Sequence, residues 1–458
     1  MPHLLKTLEG RYWLPNRARY SRHGVLRDAP RGGFELTVDR GWSREVMQDL
    51  DARNGLVVLG LTTDHRSVTL HQGFLKNYNP FSPETSSGTF FFNQIFLGAH
   101  LHNAADAAIT EVGVRISNLD RWLGVSGFTI DYDQLPVGRI SIHFSRPEDL
   151  EVELEPGLKL VFSFTWQGPT FRHPQLEASL EQGLWLSIRA WPARPFAGLR
   201  RTASQLLDLF TLLVGEPLVF EAMDAELFTR GSRKRRSEKI DIFFSPVGRD
   251  VVEVVEAHRM IIPFRAVESD LPRLLRRWLA SAKTLQPAFD LYFSMLRRDP
   301  GYQEIRFLGI IRALESLHRL RKKEQPSAKH EARIARILAP LNSKDRKWLR
   351  GRLKYSYELR LADRIKELLE PFGNLFGEPD LQALFVTRVA DTRNYLTHYD
   401  PALSSRAVEP SKLLPYQYRL QVLFILHCLV ELDFSASAAR QIIEKHDKLS
   451  QCVRFGEL

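Results

Sequence analysis

The sequence predicts an α+β multidomain protein, in which a β-sandwich-like antiparallel N-terminal domain precedes an all-α helical bundle. Apolar and polar residues alternate with a period of two in the first part of the chain, and apolar residues recur at three- and four-residue steps from about residue 268 onward. The chain has 458 residues, whereas single hydrophobic cores rarely grow past about 250 to 300 residues. We therefore predict two domains, residues 1–265 and 268–458.

Half-buried strands are predicted throughout most of the first domain. The segment LEVELE (150–155) alternates strictly, and LVFSFTW (160–166) places Leu160, two phenylalanines and Trp166 on one face. Similar segments are separated by Gly, Pro, Asn and Asp clusters: FELTV, GLVVLGLTT, SVTLHQGFL, TFFFNQIFLGA, GFTIDYD, RISIHF and LWLSIRAW. This pattern is typical of an antiparallel sandwich or barrel.

Helical spacing indicates one helix in the first domain and a series of helices in the second. The first runs from Phe196 to Leu213 between Pro195 and Gly215, and we expect it to pack across a sheet. The second domain begins with apolar residues spaced from Leu271 to Leu285. Further helices are predicted at about 301–323, 328–353 with a break at Pro340, 357–370, 379–399 and 412–446.

Composition favours a polyanionic partner without proving one. The 64 Lys and Arg residues exceed the 54 Asp and Glu residues, and the net charge is +10. The basic run GSRKRRS (231–237) is either a solvated loop or a nucleic-acid contact.

Cys428 and Cys452 do not suggest a disulfide framework, and the apolar run VLFILHCLVEL is shorter than the roughly 20 residues of a membrane span. We expect a cytoplasmic protein that has no membrane contact.

The familiar cofactor and metal motifs do not occur in the sequence. It has no phosphate-binding glycine loop, no paired-cysteine zinc pattern and no His-Glu-x-x-His helix, so we predict no cofactor and no metal. Glu315 and His318 form a lone Glu-x-x-His pair, whereas di-iron bundles need two such pairs and further glutamates. An ion pair of Glu315 with Arg319 and a polar-face position for His318 are therefore favoured.

The stretch DTRNYLTHYDP (391–401) is the strongest candidate for chemistry. Arg393, Asn394 and His398 lie near the end of a predicted helix that Pro401 stops, and Asn394 and His398 share one face because they are four residues apart. The helix is expected to bury an apolar stripe made of Leu381, Leu384, Phe385, Val389, Tyr395 and Leu396. Two interpretations stay open on spacing alone: an ordinary solvated helix end that complements the macrodipole, or a catalytic Arg and His pair.

Several segments resemble a known family. RNYLTH (393–398) resembles the Arg, polar residue, His signature of the HEPN superfamily of ribonucleases, and IRFLGIIRALESLHR (305–319) and YSYELRLADRIKELLEPFG (355–373) resemble the helices that precede this motif. In the first domain, LEGRYWLP (8–15), GLVVLGLTTDHRSVTL (55–70) and RISNLDRWLG (115–124) are similar to the N-terminal domain of ApeA-type abortive-infection proteins.

The resemblance implies a HEPN bundle acting as an antiviral, anti-phage endoribonuclease. Its family is regarded as metal-independent and cuts RNA by attack of the ribose 2′-hydroxyl. Carried to this chain, His398 transfers protons, Arg393 holds phosphate oxygens and Asn394 orients the backbone or His398, with Glu315 and His318 as possible support. The partners implied are RNA, with tRNA as one candidate, a second copy in a homodimer and an unidentified phage-derived trigger.

Two further expectations accompany this resemblance. The RNA backbone is expected to contact a basic group on the bundle: Arg319, Arg321, Lys322 and Lys323. The β-rich domain is expected either to sense the phage trigger, for example through the aromatic stretch GTFFFNQIF (88–96), or only to stabilise the dimer. The alternative to the enzyme is a non-catalytic HEPN module that binds RNA or a partner protein.

Overall fold

The computed structural model describes residues 7–30, 32–39, 42, 55–79, 87–132, 140–172, 177–228, 237–244, 253–298, 301–322 and 325–454. Residues 231–236 of the basic run and Lys323 lie outside the described residues. The chain divides into two compact units, residues 1–276 and 277–458. The assignment of separate domains to residues 1–265 and 268–458 stays a prediction.

The first unit is built from antiparallel strands. They are β1 (Leu8–Trp13), β2 (Arg22–Asp28), β3 (Phe34–Asp39), β4 (Leu56–Thr62), β5 (Ser67–Asn79), β6 (Ser87–Leu97), β7 (Ala108–Ile116), β8 (Phe128–Tyr132), β9 (Ile140–Phe144), β10 (Leu150–Glu155), β11 (Leu158–Arg172), β12 (Glu177–Pro195), β13 (Phe220–Phe228) and β14 (Ser237–Phe244). In strands such as β1 the alternating sequence buries every second residue, whereas β9 buries none of its five residues. The predicted antiparallel β-rich class is confirmed, and the sheet is barrel-like.

Six strands close into a ring in the order β6, β3, β2, β1, β4, β5 and back to β6. Closure leaves these strands without a free edge over the paired residues. The ring encloses an apolar core that includes Tyr12, whose buried hydroxyl donates a hydrogen bond to the Leu8 carbonyl at 3.0 Å. Three phenylalanines of the stretch 88–96, Phe90, Phe92 and Phe96, are buried, so packing accounts for most of its aromatic content.

The remaining large strands continue the same sheet. They follow the order β14, β13, β7, β12, β11, β10, and β14 pairs with residues 94–97 of β6. Helix α2 (Phe196–Val214) packs on β7 and β12, begins after Pro195 and ends at Gly215 with a φ of 84°, as the sequence predicts. A shorter helix, α1 (Leu119–Leu123), precedes β8.

One predicted face in this sheet is wrong. Trp166 is 55% exposed, although it was assigned to the buried face of β11, and Val161 on the opposite face is buried. The alternation fails because β11 is covered on both faces only around Val161, where Leu160 and Phe162 are buried as well, and most residues from Thr165 to Phe171 are exposed. There Trp166 contacts only the ring of Phe144, at 6.3 Å between centroids, among the aromatic pairs of the described residues.

Helices form the second unit, as predicted. They are α3 (Leu271–Arg297), which begins in the first unit, α4 (Gln303–Arg321), α5 (Ala328–Leu338), α6 (Ser343–Leu353), α7 (Leu361–Leu369), α8 (Pro379–His398), α9 (Leu413–Glu431), α10 (Ala436–Lys445) and α11 (Asp447–Arg454). The single helix predicted over 412–446 is wrong. Asp433 adopts a φ of 69°, and Ser435 caps the next helix by accepting a hydrogen bond from the Ala438 N–H at 3.1 Å.

Helix α9 is the apolar centre of this unit. Among the described residues, the segment Pro410–Glu431 is the one helical stretch long and apolar enough to cross a membrane, and 72% of its most apolar window is buried inside the protein. The sequence argument counted only the run VLFILHCLVEL, whereas the helical segment also includes the residues that precede this run. Its packing against neighbours such as α4 accounts for its apolar composition without a bilayer.

Candidate active site

Helix α8 carries the candidate motif and is fixed by a short buried face. Phe385, Val389 and Thr392 are buried at steps of four and three residues. The longer predicted stripe is only partly correct, because Leu381 is 48% exposed and Leu384 is 40% exposed. The described residues do not cover this face at the start of the helix, whereas Tyr395 and Leu396 are half-buried near its end.

The end of α8 is held by the chain that follows it. Buried Thr392 donates to the Arg388 carbonyl at 2.6 Å and accepts from the Val408 N–H at 2.8 Å. Asp391 forms an ion pair with Arg406 at 2.7 Å. These contacts fix the returning segment against α8. The last residue of α8 stays at the surface.

His398 is the last residue of α8, which confirms its predicted place in the final turn. Tyr399 then adopts the left-handed conformation with a φ of 50°, and its N–H donates to the Tyr395 carbonyl at 2.6 Å. His398 is exposed, and within the described part of the chain its imidazole has no hydrogen bond to Arg393 or Asn394. Its ring nitrogens are therefore open to a ligand or to solvent.

Arg393 is held from two sides. Its guanidinium donates to Asn394 Oδ1 at 3.0 Å and lies 3.4 Å from Glu315 Oε2 on α4. The second distance is longer than an optimal hydrogen bond, so the carboxylate orients the guanidinium without binding it tightly. Both side chains are largely shielded, at 31% exposure for Arg393 and 17% for Glu315.

This arrangement corrects one sequence expectation and adds detail to another. The predicted Glu315–Arg319 pair is wrong, because Glu315 faces Arg393 and Arg319 pairs with Glu358 at 2.7 Å. A contact within one helix was favoured by spacing, but tertiary packing brings the better-placed partner from α8. Asn394 uses its oxygen to orient Arg393, which leaves its amide N–H groups as the donors available to a substrate.

His318 lies inside the bundle and not on a polar face as predicted. It is 5% exposed, accepts from the Arg364 guanidinium at Nδ1 over 3.0 Å and contacts Glu367 through Nε2 at 2.8 Å. A guanidinium cannot accept a hydrogen bond, so Nδ1 carries the lone pair and Nε2–H donates to the carboxylate. The side chain therefore joins α4 to α7 and does not meet Arg393 directly.

The predicted RNA-binding residues that the structure describes already have partners. Arg321 binds Glu431 at 2.8 Å and donates to Nδ1 of His427, also at 2.8 Å, while Lys322 binds Glu367 at 2.8 Å. Hydrogen bonds from Lys322 and then His318 lower the pKa of the Glu367 carboxyl. A role for Arg319, Arg321 and Lys322 in holding RNA stays a prediction, and Lys323 lies outside the described residues.

His427 belongs to the same polar network and was missed by the sequence reasoning, as were Arg364 and Glu367. Its Nε2 lies 2.9 Å from the Leu368 carbonyl, and burial followed by the charge of Arg321 lowers the pKa of His427 to about 3. The sequence does contain a signal for these residues. Arg364 falls on the apolar stripe of α7 and His427 interrupts the apolar run of α9, and polar groups at such positions need buried partners.

Within the part of the chain that the structure describes, no group of three or more His, Cys, Asp or Glu side chains is placed to hold a metal ion. Cys428 and Cys452 are both free thiols. The candidate site thus consists of an oriented guanidinium, an amide and an exposed imidazole. These groups supply positive charge, hydrogen-bond donors and a proton carrier.

Comparison with known families covers both units. The family model for the ApeA N-terminal domain 1 matches residues 8–278, and the model for the Apea-like HEPN domain matches residues 308–438, which include Glu315, Arg393 and His398. No curated protein and no solved structure matches the chain. The first match covers more than half of the sequence, and so the chain belongs to the family of ApeA-type proteins, with an ApeA N-terminal domain 1 followed by an Apea-like HEPN domain.

Proposed function

We propose that this protein is a metal-independent endoribonuclease that acts in antiviral defence by abortive infection. The observation that carries the proposal is the geometry at the end of α8. Arg393 is oriented by Glu315 and Asn394 at 3.4 Å and 3.0 Å, and the exposed His398 follows five residues later in a HEPN domain. An arginine fixed in this way has less conformational freedom to lose when it binds a phosphate.

The reaction is an attack of the ribose 2′-hydroxyl on the adjacent phosphorus. The new bond from the 2′-oxygen forms a cyclic phosphate, the bond to the 5′-oxygen breaks, and protons move from the 2′-hydroxyl and onto the leaving oxygen. His398 is the group that exchanges these protons, since its imidazole is exposed at the helix end. Arg393 stabilises the charge that develops on the phosphate oxygens, and the Asn394 amide donates a further hydrogen bond.

A single imidazole cannot easily serve both the attacking and the leaving oxygen of an in-line displacement. We therefore propose a homodimer in which two copies of the motif face the same RNA backbone. The exposure of Leu381 and Leu384 on α8 is compatible with an apolar contact between copies. We place the action in the cytoplasm, where RNA substrates occur and where free thiols such as Cys428 persist.

The first unit is proposed to regulate this activity. It contains a cavity of about 320 Å³ whose lining includes Arg11, Trp13 and His23. The lining is mostly apolar and includes cationic and titratable side chains, so it suits a ligand with an apolar body and a polar group better than the buried phenylalanines of the stretch 88–96 do. We infer that a phage-derived trigger is sensed at this cavity.

The decisive experiment is sequencing of RNA ends from cells that express the wild type, His398→Ala or Arg393→Ala. New ends should appear with the wild type and disappear with both variants, because each removes one of the groups that act on the phosphate. His102→Ala is the matched control, since His102 is an exposed histidine in the first unit. A well-folded His398→Ala protein that still produces the ends would refute the assignment. Bound but uncut RNA in the wild type would instead support the non-catalytic HEPN module.

A further inference from the structure

Helix α6 carries a solvent-exposed face that is separate from the cleavage motif. Lys344, Lys347, Trp348, Gly351 and Arg352 line an open groove of about 560 Å³, and their spacing of three and four residues places them on one side of the helix. Trp348 is 63% exposed, so the faces of its indole ring are open to a stacking partner. We call these five residues the α6 face.

The α6 face lies in a strongly basic part of the chain. From Ala328 to Lys354 the sequence has nine Lys or Arg residues and two acidic residues, Glu331 and Asp345. Unlike Arg319, Arg321 and Lys322, the ammonium groups of Lys344 and Lys347 have no carboxylate partner in the described part of the chain. Uncompensated cations at a surface attract a polyanion.

The fold does not depend on this face. Helix α6 buries no residue, and it is held instead by its ends. Asn342 caps it by accepting from the Asp345 N–H at 2.9 Å, and the Arg346 guanidinium donates to the carbonyls of Leu338 and Leu341 at 3.1 Å and 2.7 Å. Substitutions on the α6 face leave these bonds in place, so they test binding and not folding.

We propose that the α6 face binds unpaired RNA, with a base stacked on Trp348 and backbone phosphates held by Lys344 and Lys347. The inference rests on the proposed function for its choice of partner, and it adds a surface that the family motif does not include. An unpaired strand exposes the flat faces of its bases, whereas a duplex hides them in its own stack. An anionic membrane or an acidic protein would satisfy the lysines but would offer no base to the indole.

Gly351 and Arg352 fit the same ligand. Apart from the two chain neighbours and the backbone of α6 itself, no described atom lies within 4 Å of the place where a side chain at Gly351 would begin, so a flat ring can approach beside the indole. The Arg352 guanidinium lies 6.0 Å from the centre of the Trp348 ring, from which it can reach a phosphate while supporting the ring by a cation–π contact.

The first test measures binding of a fluorescein-labelled oligouridylate to the full-length His398→Ala protein, which keeps the RNA intact. Adding Trp348→Ala should weaken binding about 5- to 150-fold, the range for loss of one stacked base, while Trp348→Phe should retain most of the affinity. Replacing both Lys344 and Lys347 with Gln should reduce the salt dependence, the slope of log K against log salt, by about 1.4 in magnitude.

Matched controls separate this surface from general effects of charge and aromatic content. Trp166→Ala removes another exposed tryptophan, and Lys283→Gln with Lys412→Gln makes the same charge change on other exposed positions. Gly351→Leu should weaken binding by filling the space beside the indole, whereas Gly351→Ala should not. Binding that is unchanged by Trp348→Ala and by the Lys344 and Lys347 pair overturns the inference, as does tighter capture of duplex RNA or phosphatidylserine vesicles through the same residues.

A second readout distinguishes this inference from the proposed catalysis. In the cleaving protein, Trp348→Ala should raise KM and leave kcat unchanged, because the α6 face holds RNA away from the reacting phosphate. If the wild type never cuts RNA but binds oligouridylate through Trp348, the nuclease proposal fails and the α6 face stands. If cleavage depends on Arg393 and His398 while Trp348 and the lysines change neither affinity nor KM, the α6 face fails alone.

Discussion

Replacing His427 with glutamine should remove a large part of the acid sensitivity of the helical unit. The imidazole is 4% exposed, accepts from Arg321 at Nδ1 and donates to the Leu368 carbonyl, so it is held in its neutral form. Its pKa is lowered to about 3 in the folded protein. A glutamine side chain keeps one donor and one acceptor for these partners but does not titrate.

The size and the sign of the effect follow from proton linkage. An unfolded histidine has a pKa of about 6.5, so below that pH the unfolded chain binds a proton that the folded protein refuses. Stability is therefore lost as the pH falls from about 6.5 toward about 3, the pKa of His427 in the folded protein. Between about pH 7 and about pH 5, the single site should cost about 2 kcal/mol of the free energy of unfolding.

The assay is urea unfolding of the full chain, followed by far-UV circular dichroism of the helices at several pH values. Subtracting the His427→Gln curve from the wild-type curve removes the contributions of other titrating groups. The difference should grow by about 2 kcal/mol, or a shift of about 1 M in the urea midpoint, over that pH range. Parallel curves for the two proteins would show that His427 is not buried as a neutral group and would refute the reasoning.

Four further predictions concern the candidate site and its control. Glu315→Gln should lower the rate of RNA cleavage about 10- to 100-fold without loss of helical signal, since Arg393 loses its orienting charge. The control is Glu409→Gln, which changes an exposed carboxylate. Equal cleavage rates for the two variants would contradict the role of Glu315. Cleavage should persist in EDTA, and activity lost on chelation and restored by magnesium would point to a metal-dependent nuclease. Mixing Arg393→Ala subunits with His398→Ala subunits should restore part of the activity if the two groups act from different copies, whereas a fully active monomer would exclude a composite site. Substitution of Arg11 or His23 in the first-unit cavity should abolish phage protection while the purified protein still cuts RNA. If the same substitutions also abolish dimerisation, the first unit serves only to stabilise the dimer.

The sequence predicts structural features that depend on residues close together in the chain, but it does not predict features that depend on residues far apart in the chain. Strand alternation and the capped helix between Pro195 and Gly215 are local patterns, and both are found in the structure. The closed ring is not a local property. β6 pairs with β3, β5 and β14, and a period of two contains no information about which strands become neighbours.

The candidate site shows the same division. The position of His398 at the end of α8 followed from helical spacing and the helix stop. The partner of Glu315 did not, because a residue four positions away on the same helix competed with Arg393, 78 positions away. The buried histidines 318 and 427 were likewise placed by tertiary packing, since an isolated helix pattern does not reveal which of its polar residues meets an arginine.

Strand β6, which the ring and the adjoining sheet share, links the unfolding of these two parts of the first unit. Along one edge, residues 87–92 pair with β3 of the ring, and residues 94–97 pair with β14 of the adjoining sheet. The ring therefore cannot open along this edge without exposing backbone groups of the strand that also anchors β14. Amide exchange in β3 and β14 should accordingly rise together as one cooperative unit. A fragment cut after β6 would retain an unpaired edge over residues 94–97, so it should aggregate, whereas a fragment that includes β14 should stay monodisperse.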